Sequence, residues 1–308
     1  MAPKKEPRRG GTRRWRTVLL AGILLILLGG WASTTPAVEW RRNLISLKLR
    51  GLLPRAAWSD LLFRSKPQEQ LRQAWDVTAR MVKEKSRGAE PCPVLWETSA
   101  GDFWGRESDF SALGIVFEEQ FIRDVYEQGP VGVRPGDVVF DVGSHLGAFT
   151  RLALMHGASH VVAFEPDSVN IACYKRTFQQ EIAAGRVTLV EAALWEAPGT
   201  LDFITGHHSG AGQVHPQGEH PAHLVPATTI DETVARLQLD RLDFIKMDIE
   251  GSERYALRGG RESIARFAPQ MAICIYHRKD DPEVVPQEVR NARPAYEVAT
   301  SDGIAYFH

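Results

Sequence analysis

Residues 137–166, with the sequence DVVFDVGSHLGAFTRLALMHGASHVVAFEP, decide the fold. The apolar run 138–140 indicates a short strand, and the turn at 141–147 that follows it contains two glycines. An apolar-rich helix is predicted to start within 149–155, and a second apolar run at 160–164 indicates another strand. Strand, glycine turn, helix and strand in this order predict a βαβ unit with a ligand loop after its first strand.

Three residues of this unit fit a bound ligand. Gly143 and Gly147 let the backbone approach a ligand closely, and the N-terminus of the helix adds free N–H groups. Glu165 follows the second strand, where a carboxylate can accept hydrogen bonds from two ribose hydroxyls. The unit therefore predicts a ligand that contains a nucleoside. An ordinary βαβ turn without a ligand is the alternative.

The loop differs from the fingerprint of dinucleotide-binding folds. That fingerprint is G-x-G-x-x-G, in which N–H groups hold a pyrophosphate. Here Asp141 and Gly143 are followed by Gly147, and His145 stands where the middle glycine would be needed. A ligand without phosphate fits better. S-adenosylmethionine (SAM) offers a ribose to Glu165 and an amino acid end to the loop, so SAM is the predicted cofactor.

The run 187–194, VTLVEAAL, predicts the third strand of the sheet. In a fold of this kind the adenine would lie at the end of that strand, which makes Glu191 and Ala192 candidate contacts. A strand-end acid exposed to solvent is the alternative for Glu191.

A second informative stretch is 242–253, LDFIKMDIEGSE. Its apolar residues indicate a buried parallel strand, which ends at Asp248. A carboxylate beside a buried strand needs a reason, and this one would lie next to the first strand, where open α/β sheets bind ligands. Glu250 follows on the same loop, although an acid there also favours the N-terminus of the next helix.

The strand predicted at 271–276, MAICIY, brings His277 to the same edge of the sheet. An imidazole there can move a proton near neutral pH. Asp248, Glu250 and His277 are therefore the predicted catalytic residues. Two short strands near the C-terminus are expected to close the sheet as an antiparallel pair.

Five of the ten histidines lie within residues 207–223. Their spacing lacks the i, i+4 or short-knuckle order of a metal site, so no metal is predicted. The segment is expected to form a mobile loop over the substrate, with a plain solvated loop as the alternative.

Charge is unevenly distributed along the 308 residues. Residues 1–16 hold seven of the 37 Lys and Arg residues but one of the 38 acidic residues. This tail is predicted to be disordered, and the mildly acidic remainder argues against a nucleic-acid partner. The three cysteines are few and far apart, which predicts neither a disulfide framework nor a metal knuckle.

The basic tail is followed by an uncharged run, VLLAGILLILLGGWA. Residues 17–38 are predicted to form a single-pass N-terminal signal anchor in the membrane, with the basic end in the cytoplasm and the body on the far side. A cleaved signal peptide and a helix that lies along the membrane are alternatives. Residues 39–109 are predicted to form a helical accessory region.

Several motifs together resemble those of FkbM-type methyltransferase domains. They are the glycine loop VVFDVGSHLGAF, the acid in VVAFEPD, the run VTLVEAALWEAPGTLDF, the segments VPATTIDE and DFIKMDIEGSE, and the tail ICIYHRKDD. The resemblance covers about residues 110–308, which are the predicted catalytic domain. It implies the class I SAM-dependent methyltransferase fold, a Rossmann-like α/β fold. Its sheet has seven strands and is mostly parallel, with an antiparallel last strand.

The resemblance also implies roles for individual residues. Glu165 would hold the ribose, and Asp248 and Glu250 would face the reacting groups. His145 departs from the family pattern, which commonly has asparagine at this position, although a ring nitrogen can also contact the ligand. The methionine end of SAM would be lined by Asp141, Gly143, Ser144, His145 and Gly147.

Members of this family methylate hydroxyl oxygens, often on sugars or polyketide-like products. The chain is therefore expected to be an enzyme that methylates a hydroxyl of a sugar, a glycan or another secondary metabolite. An inactive membrane-tethered domain that binds a glycan or lipid is the alternative, and the intact Asp141, Glu165 and Asp248 argue against it. A nicotinamide-dependent oxidoreductase is disfavoured by the missing middle glycine.

Overall fold

A computed structural model describes residues 82–205, 210, 212–218 and 223–308. All of these residues fall within one compact unit. The predictions for the basic tail, for the membrane anchor and for most of the helical accessory region concern residues 1–81 and lie outside the described residues. Across the described part of the chain, no helix is both long and apolar enough to cross a membrane.

Short strands and helices alternate along the described residues. The strands are β1 (Lys83–Arg87), β2 (Val94–Thr98), β3 (Gly101–Gly105), β4 (Val138–Val142), β5 (His160–Phe164), β6 (Val187–Val190), β7 (Ala193–Leu194), β8 (Gly199–Ile204), β9 (Gln213–Pro216), β10 (His223–Thr228), β11 (Phe244–Met247), β12 (Gln270–Cys274), β13 (Val298–Ser301) and β14 (Ile304–Phe307). The helices are α1 (Asp109–Phe117), which continues as a π-helical turn (Glu118–Ile122), α2 (Ala148–Met155), α3 (Ser168–Thr177), α4 (Gln179–Ala183), α5 (Ile230–Arg236), α6 (Glu253–Arg258), α7 (Arg261–Phe267) and α8 (Asp281–Ala292).

Seven strands build the central sheet in the order β13-β14-β12-β11-β4-β5-β6. The strands β6, β5, β4, β11 and β12 run parallel to one another, whereas β14 is antiparallel to both β12 and β13. The strand order reverses between β4 and β11, which is where open α/β sheets bind ligands. The predicted seven-stranded sheet with an antiparallel last strand is confirmed.

Alternate residues of the central strands enter two separate apolar cores. In β4, Val139 packs into the core that contains Phe149 of α2 and Tyr174 of α3. Its neighbour Phe140 packs into the other core, with Ile264 of α7. All five side chains are at most 1% exposed, and burial of each large apolar side chain contributes roughly 1.5–3 kcal/mol. Helices on both faces therefore hold the sheet rigid beneath its carboxyl edge.

Residues 83–105 form a small antiparallel sheet, β1-β2-β3. The prediction of a helical region over 39–109 is therefore wrong for this part of the chain. Val94, Trp96 and Phe103 are buried on one face of the small sheet. Burial at every second residue of β2 is the period of a strand, but over five residues this pattern is too short to stand out.

A disulfide joins Cys92 to Cys173 and ties the turn between β1 and β2 to helix α3. The prediction of no disulfide is therefore wrong. The two cysteines are 81 residues apart in sequence, so only the packing of the small sheet brings them together. The same surface carries a hydrogen bond of 2.9 Å from the backbone N–H of Trp104 to the hydroxyl of Thr177. The third cysteine, Cys274, is free and buried.

Loss of the disulfide is expected to lower the stability of the protein. Closing a loop of this length contributes about 4 kcal/mol through the entropy of the unfolded chain. Reductant should lower the melting temperature of the wild type but not that of the Cys92→Ser/Cys173→Ser double variant. A thiol titration of the denatured, unreduced chain should find one free thiol, that of Cys274. Three free thiols would contradict the pairing.

A second sheet, β7-β10-β8-β9, follows the central one along the chain. The third strand predicted at 187–194 is divided between the two sheets, because the chain leaves the central sheet after β6 and pairs with β10 through β7. Part of the predicted loop at 207–223 is also strand, since β9 pairs antiparallel with β8.

Candidate active site

A cavity opens at the carboxyl edge of the central sheet, and its empty space, with the solvent at its mouth included, is about 550 Å³. The lining comprises Val142, Gly143, His145, Phe164, Glu165, Pro166, Ala192, Ala193, Leu194, Phe203, Gly210, Gly212, Val214, Asp248, Ile249, Glu250 and Ser252. Six of the predicted site residues are among them: Gly143, His145, Glu165, Ala192, Asp248 and Glu250.

The glycine loop turns sharply at the end of β4. Gly143 has a φ of +77°, and a Cβ there would lie 2.0 Å from the backbone oxygen of Asp248. Only glycine lets the loop pack so closely against the end of β11. His145 also has a left-handed backbone, with a φ of +51°. Asparagine and histidine adopt this conformation more readily than most residues, so histidine can replace asparagine here without a change of backbone.

Gly147 is explained by packing. Its φ is +90°, and a Cβ would lie 2.2 Å from the ring of Phe178 and 2.7 Å from the ring of Tyr174. Gly147 is not part of the cavity lining. In the structure this glycine allows α2 to begin against two aromatic side chains, and its approach to a ligand stays a prediction.

Asp141, near the end of β4, and Ser144, within the glycine loop, do not line the cavity. Asp141 is fully buried, accepts a hydrogen bond of 2.7 Å from the hydroxyl of Thr150 and lies 3.4 Å from the amino group of Lys246. The backbone N–H of Ser144 donates to the oxygen of Phe164 at 3.0 Å. Both residues therefore stabilise the conformation of the loop.

Lys246 is a site residue that the sequence reading missed. Its amino group donates hydrogen bonds to the backbone oxygens of Gly143 at 2.7 Å and Val142 at 3.3 Å. Burial lowers the pKa of Lys246, but the carboxylates of Asp141 and Asp248 raise it by more, so its net pKa is raised and the side chain is charged. A lysine inside the apolar strand FIKM was the signal available in the sequence.

Glu165 links the glycine loop to the start of α3. Its Oε2 accepts the backbone N–H of His145 at 2.8 Å. Its Oε1 accepts the backbone N–H of Asp167 at 2.9 Å and the side-chain amide of Asn170 at 3.4 Å. The carboxyl is 5% exposed, and burial raises its pKa to about 7 although these hydrogen bonds favour the ionised form. A carboxyl group at the cavity is thus held in a fixed orientation.

Ala192 lines the cavity, but Glu191 does not. The side chain of Glu191 is half exposed and forms an ion pair of 2.5 Å with Lys175, which matches the alternative of a solvent-exposed strand-end acid. Phe203 and Val214 of the second sheet provide an apolar wall of the same cavity. The sequence did not predict these two residues, because their position at the cavity depends on the pairing of β8 with β9.

Asp248, Glu250 and His277 come together at the end of β11. The Nε2 of His277 lies 3.4 Å from Oδ1 of Asp248 and 3.7 Å from Oε2 of Glu250. The two acids line the cavity, whereas the side chain of His277 lies behind them and is 8% exposed. Glu250 has a left-handed φ of +56° directly before Gly251 at +95°. Strained backbone of this kind persists where the surrounding structure holds it, often at functional sites.

Two further residues, neither of them predicted, orient this cluster. The hydroxyl of Tyr126 donates to Oδ2 of Asp248 at 3.0 Å. The fully buried Glu253 lies 3.0 Å from Nδ1 of His277. Burial lowers the pKa of His277, but the surrounding carboxylates, Glu253 foremost, raise it by more, to about 9. Glu253 is the first residue of α6, where an acid also favours the helix N-terminus, so its contact with the histidine is not evident from the sequence.

The histidine-rich segment 207–223 contributes a wall of the cavity without its histidines. Gly212 and Val214 line the cavity, whereas His215 and His223, the described histidines of the segment, do not. The other three histidines lie outside the described residues. The expected loop over the substrate is, in its described part, a turn and strands of the second sheet.

A seven-stranded sheet with a reversed last strand, a glycine loop after its central strand and an acid after the next strand define a methyltransferase-like α/β protein. The sequence model of the Methyltransferase FkbM domain matches residues 141–293. The chain belongs to the FkbM methyltransferase family and is an enzyme.

Several known proteins are similar to the chain. The 31-O-demethyl-FK506 methyltransferase FkbM of Streptomyces tacrolimicus is 41% identical over 179 residues, which are 47% of this chain and 67% of the relative. Hexuronic acid methyltransferase AglP of Haloferax volcanii is 24% identical over 181 residues, 59% of this chain and 71% of the relative. A crystal structure of a methyltransferase FkbM from Methylobacillus flagellatus KT has 20% identity and a TM-score of 0.47, and the match covers 78% of this chain and 59% of that one.

Proposed function

We propose that the protein transfers a methyl group from SAM to a hydroxyl oxygen of a sugar, a glycan or another secondary metabolite. One observation carries the proposal: a single cavity has the fixed carboxyl of Glu165 on one side and the carboxylates of Asp248 and Glu250 on another. A methyl donor and a hydroxyl acceptor can therefore occupy the same cavity.

The donor is assigned to the side of the cavity that Glu165 occupies. The carboxylate of Glu165 would accept hydrogen bonds from the two ribose hydroxyls. The backbone at Gly143 and His145 would contact the methionine end, and Ala192 would lie against the adenine. In this assignment the ligand lies where the strand order reverses and contacts the backbone of the glycine loop, in which Gly143 and His145 have left-handed φ values.

The acceptor is assigned to the side occupied by Asp248, Glu250 and His277. Methyl transfer is an in-line displacement: the acceptor oxygen bonds to the methyl carbon while the bond from that carbon to sulfur breaks, and the electron pair stays on sulfur. The enzyme contributes mainly by holding the two reactants in line. Asp248 would take the hydroxyl proton as the new bond forms, and Glu250 would orient the acceptor. His277, the other predicted base, lies behind these two acids, and its raised pKa keeps it protonated near neutral pH.

The names of two relatives support a hydroxyl-bearing acceptor. One is a 31-O-demethyl-FK506 methyltransferase, and the other is a hexuronic acid methyltransferase. The first name specifies an oxygen, and the second specifies a sugar. The apolar residues that line the cavity, among them Phe203 and Val214, fit the apolar face of a sugar ring as well as a polyketide.

A transfer assay tests the proposal. The full chain would be incubated with SAM that carries an isotopic label on its methyl group and with sugars, hexuronic acids and polyketide alcohols. Label is expected in a methyl ether of at least one alcohol. Matched compounds in which every hydroxyl is blocked should remain unlabelled. Label on nitrogen or on a carboxyl group would contradict the assignment.

The ionisation of Glu165 predicts opposite pH trends for stability and for SAM affinity. Its pKa of about 7 in the folded protein lies above the usual 4.5, so its contribution to stability is present below pH 4.5 and is lost as pH rises through about 7. The loss amounts to about 3 kcal/mol. SAM affinity should instead rise over this window, by about tenfold per pH unit below 7, because the ionised carboxylate accepts the ribose hydroxyls.

Scanning calorimetry and SAM titration from pH 5.5 to 8.5 would check both trends. The Glu165→Gln variant should show a shallower fall of melting temperature with pH and a SAM affinity that no longer rises with pH. Other titrating groups are common to both proteins and cancel in the comparison. Identical pH profiles for the wild type and the variant would contradict the role of Glu165.

We also propose that residues 17–38 are a single-pass signal anchor and that the catalytic unit lies on the far side of the membrane. The basic tail before the anchor supports this orientation. The Cys92–Cys173 disulfide supports it too, because disulfides persist in oxidising compartments. SAM would then have to be imported into that compartment. In sealed vesicles the catalytic unit should resist protease added from the cytosolic side, and digestion would contradict the orientation.

A further inference from the structure

We propose that Asp248, Glu250 and His277 bind a divalent cation of the Mn²⁺ or Mg²⁺ class, and that this cation holds the acceptor hydroxyl. The role of the cation rests on the proposed function, whereas its binding does not. None of the proposed ligands belongs to the histidine-rich segment 207–223, and no metal was expected from the sequence at either place.

The three side chains have the spacing of ligands around one ion. The Nε2 of His277 is 3.4 Å from a carboxylate oxygen of Asp248 and 3.7 Å from one of Glu250. One ligand atom from each of the three residues lies within 4.8 Å of the others. Two atoms that bind the same ion at about 2.2 Å lie about 3 to 3.6 Å apart. Small side-chain movements would therefore complete the coordination.

The histidine nitrogen that faces the acids has no hydrogen-bond partner. The side chain of His277 is 8% exposed, and its Nε2 is buried without a hydrogen bond. Without a metal ion, the Nε2–H of the imidazolium faces the two carboxylates at 3.4 and 3.7 Å without forming a hydrogen bond. A metal ion that replaces this proton would bind the lone pair of Nε2. A cation at this point would satisfy all three groups.

Buried residues hold two of the ligands from behind. Glu253 accepts the backbone N–H of Ile249 at 3.0 Å and lies 3.0 Å from Nδ1 of His277. This contact is an ion pair, because the ring is not aligned for a hydrogen bond in this conformation. Tyr126 donates to the oxygen of Asp248 that faces away from the histidine. Carboxylates behind a metal-bound imidazole and hydrogen bonds to ligating carboxylates are the usual support of metal sites.

The charge of the cluster also favours a divalent ion. The carboxylates of Asp248, Glu250 and Glu253 surround the single imidazole of His277. The nearby ammonium of Lys246 is engaged by Asp141 and by the backbone oxygens of the glycine loop. One proton on the imidazole would leave the three carboxylates undercompensated, whereas a divalent cation would offset more of their charge.

A second set of potential ligands, Glu253, His277 and Asp281, lies on the other side of the imidazole. It is a weaker candidate, because Asp281 already accepts hydrogen bonds from the guanidinium of Arg254 at 2.6 Å and from the backbone N–H of Arg278 at 2.7 Å. It also does not line the cavity. The cavity-side set is therefore the one assigned to the ion.

The ligand types indicate the ion and its use. Carboxylates suit Mg²⁺ and Mn²⁺, and the imidazole favours Mn²⁺ of the two. Three protein ligands leave open positions on an octahedral ion for water and for the acceptor oxygen. A bound hydroxyl is more acidic. With Asp248 engaged by the ion, the ion would replace it as the group that activates the hydroxyl. The O–H bond would break with the proton passing to water, and the oxygen would attack the methyl carbon as the bond to sulfur breaks, which leaves S-adenosylhomocysteine.

Titration of the EDTA-treated full chain with Mn²⁺ tests the site without any turnover. Calorimetry should detect one ion per chain, and pulsed electron paramagnetic resonance should detect coupling of Mn²⁺ to an imidazole nitrogen. Asp248→Asn, Glu250→Gln and His277→Gln should each weaken binding by at least about tenfold, and His277→Gln should abolish the nitrogen coupling. His156→Gln is the matched control, because His156 also contacts a carboxylate, that of Glu127 at 2.7 Å, away from the cavity.

Two results would overturn the inference: no stoichiometric Mn²⁺ uptake by the wild type, or uptake that the three variants and His156→Gln leave equally strong. The nitrogen coupling in the wild type decides the matter even if a variant fails to fold. Methyl transfer at full rate in EDTA would remove the cation from catalysis and leave the proposed function intact. If the chain bound Mn²⁺ at this site but did not bind SAM, the cation site would be supported and the proposed function would be contradicted.

Discussion

Replacing Asp248 with asparagine is expected to lower the rate of methyl transfer by about a thousandfold and to change SAM affinity by less than about threefold. A positioned base contributes about 10²–10⁴ to the rate, and a carboxylate that holds a cation is at least as important. The side chain lies 3.4 Å from His277 and accepts a hydrogen bond from Tyr126, so asparagine fills the same space without the charge. Steady-state rates and calorimetric SAM affinities would measure the two effects separately.

The matched control is Asp302→Asn, in the exposed turn between β13 and β14. Asp302 has a left-handed φ of +50°, which asparagine tolerates, so this variant should behave like the wild type. Unchanged turnover in Asp248→Asn would remove the residue from the mechanism. A parallel loss of SAM affinity would mean that Asp248 belongs to the cofactor side instead.

Gly143→Ala is expected to have the largest effect on folding and SAM binding together. Its Cβ would lie 2.0 Å from the backbone oxygen of Asp248, and the backbone φ of +77° is unfavourable for alanine. Left-handed strain costs about 1–2 kcal/mol, and forced overlap in a packed region adds about 1–3 kcal/mol or more. A total of about 2–5 kcal/mol should appear as a lower melting temperature, and the displaced loop should no longer bind SAM.

Gly185→Ala separates the two causes. Gly185 also has a positive φ, +70°, but a Cβ there meets nothing within 4 Å. This variant should lose only the stability that corresponds to backbone strain and should bind SAM normally. If Gly143→Ala were no worse than Gly185→Ala, the close contact between the glycine loop and the end of β11 would not be needed.

The sequence predicted the edge of the sheet that carries the site because parallel strands share one carboxyl edge. Glu165, Asp248 and His277 each follow an apolar run, so their proximity could be inferred before any contact was known. The reversed last strand came from the resemblance to a family and is present in the structure. Local patterns that repeat along a chain are thus sufficient to place strand-end residues.

Contacts between distant segments could not be predicted in this way. Two glycines of one loop look alike in sequence, yet Gly143 is required by the end of β11 and Gly147 by the ring of Phe178. The disulfide depends on a small sheet whose strands are too short to give a clear period. Lys246 illustrates a signal that was visible but unused, since a charge inside an apolar strand demands a buried partner.

Calorimetric titration of the full chain with SAM, and separately with NAD, is the most direct test of the proposed cofactor and of the site built around it. One SAM per chain should bind with micromolar affinity, and NAD should not bind, because the loop has His145 where a pyrophosphate would need glycine. Binding of NAD, or of neither ligand by a folded chain, would contradict the assignment of the Glu165 cavity to SAM.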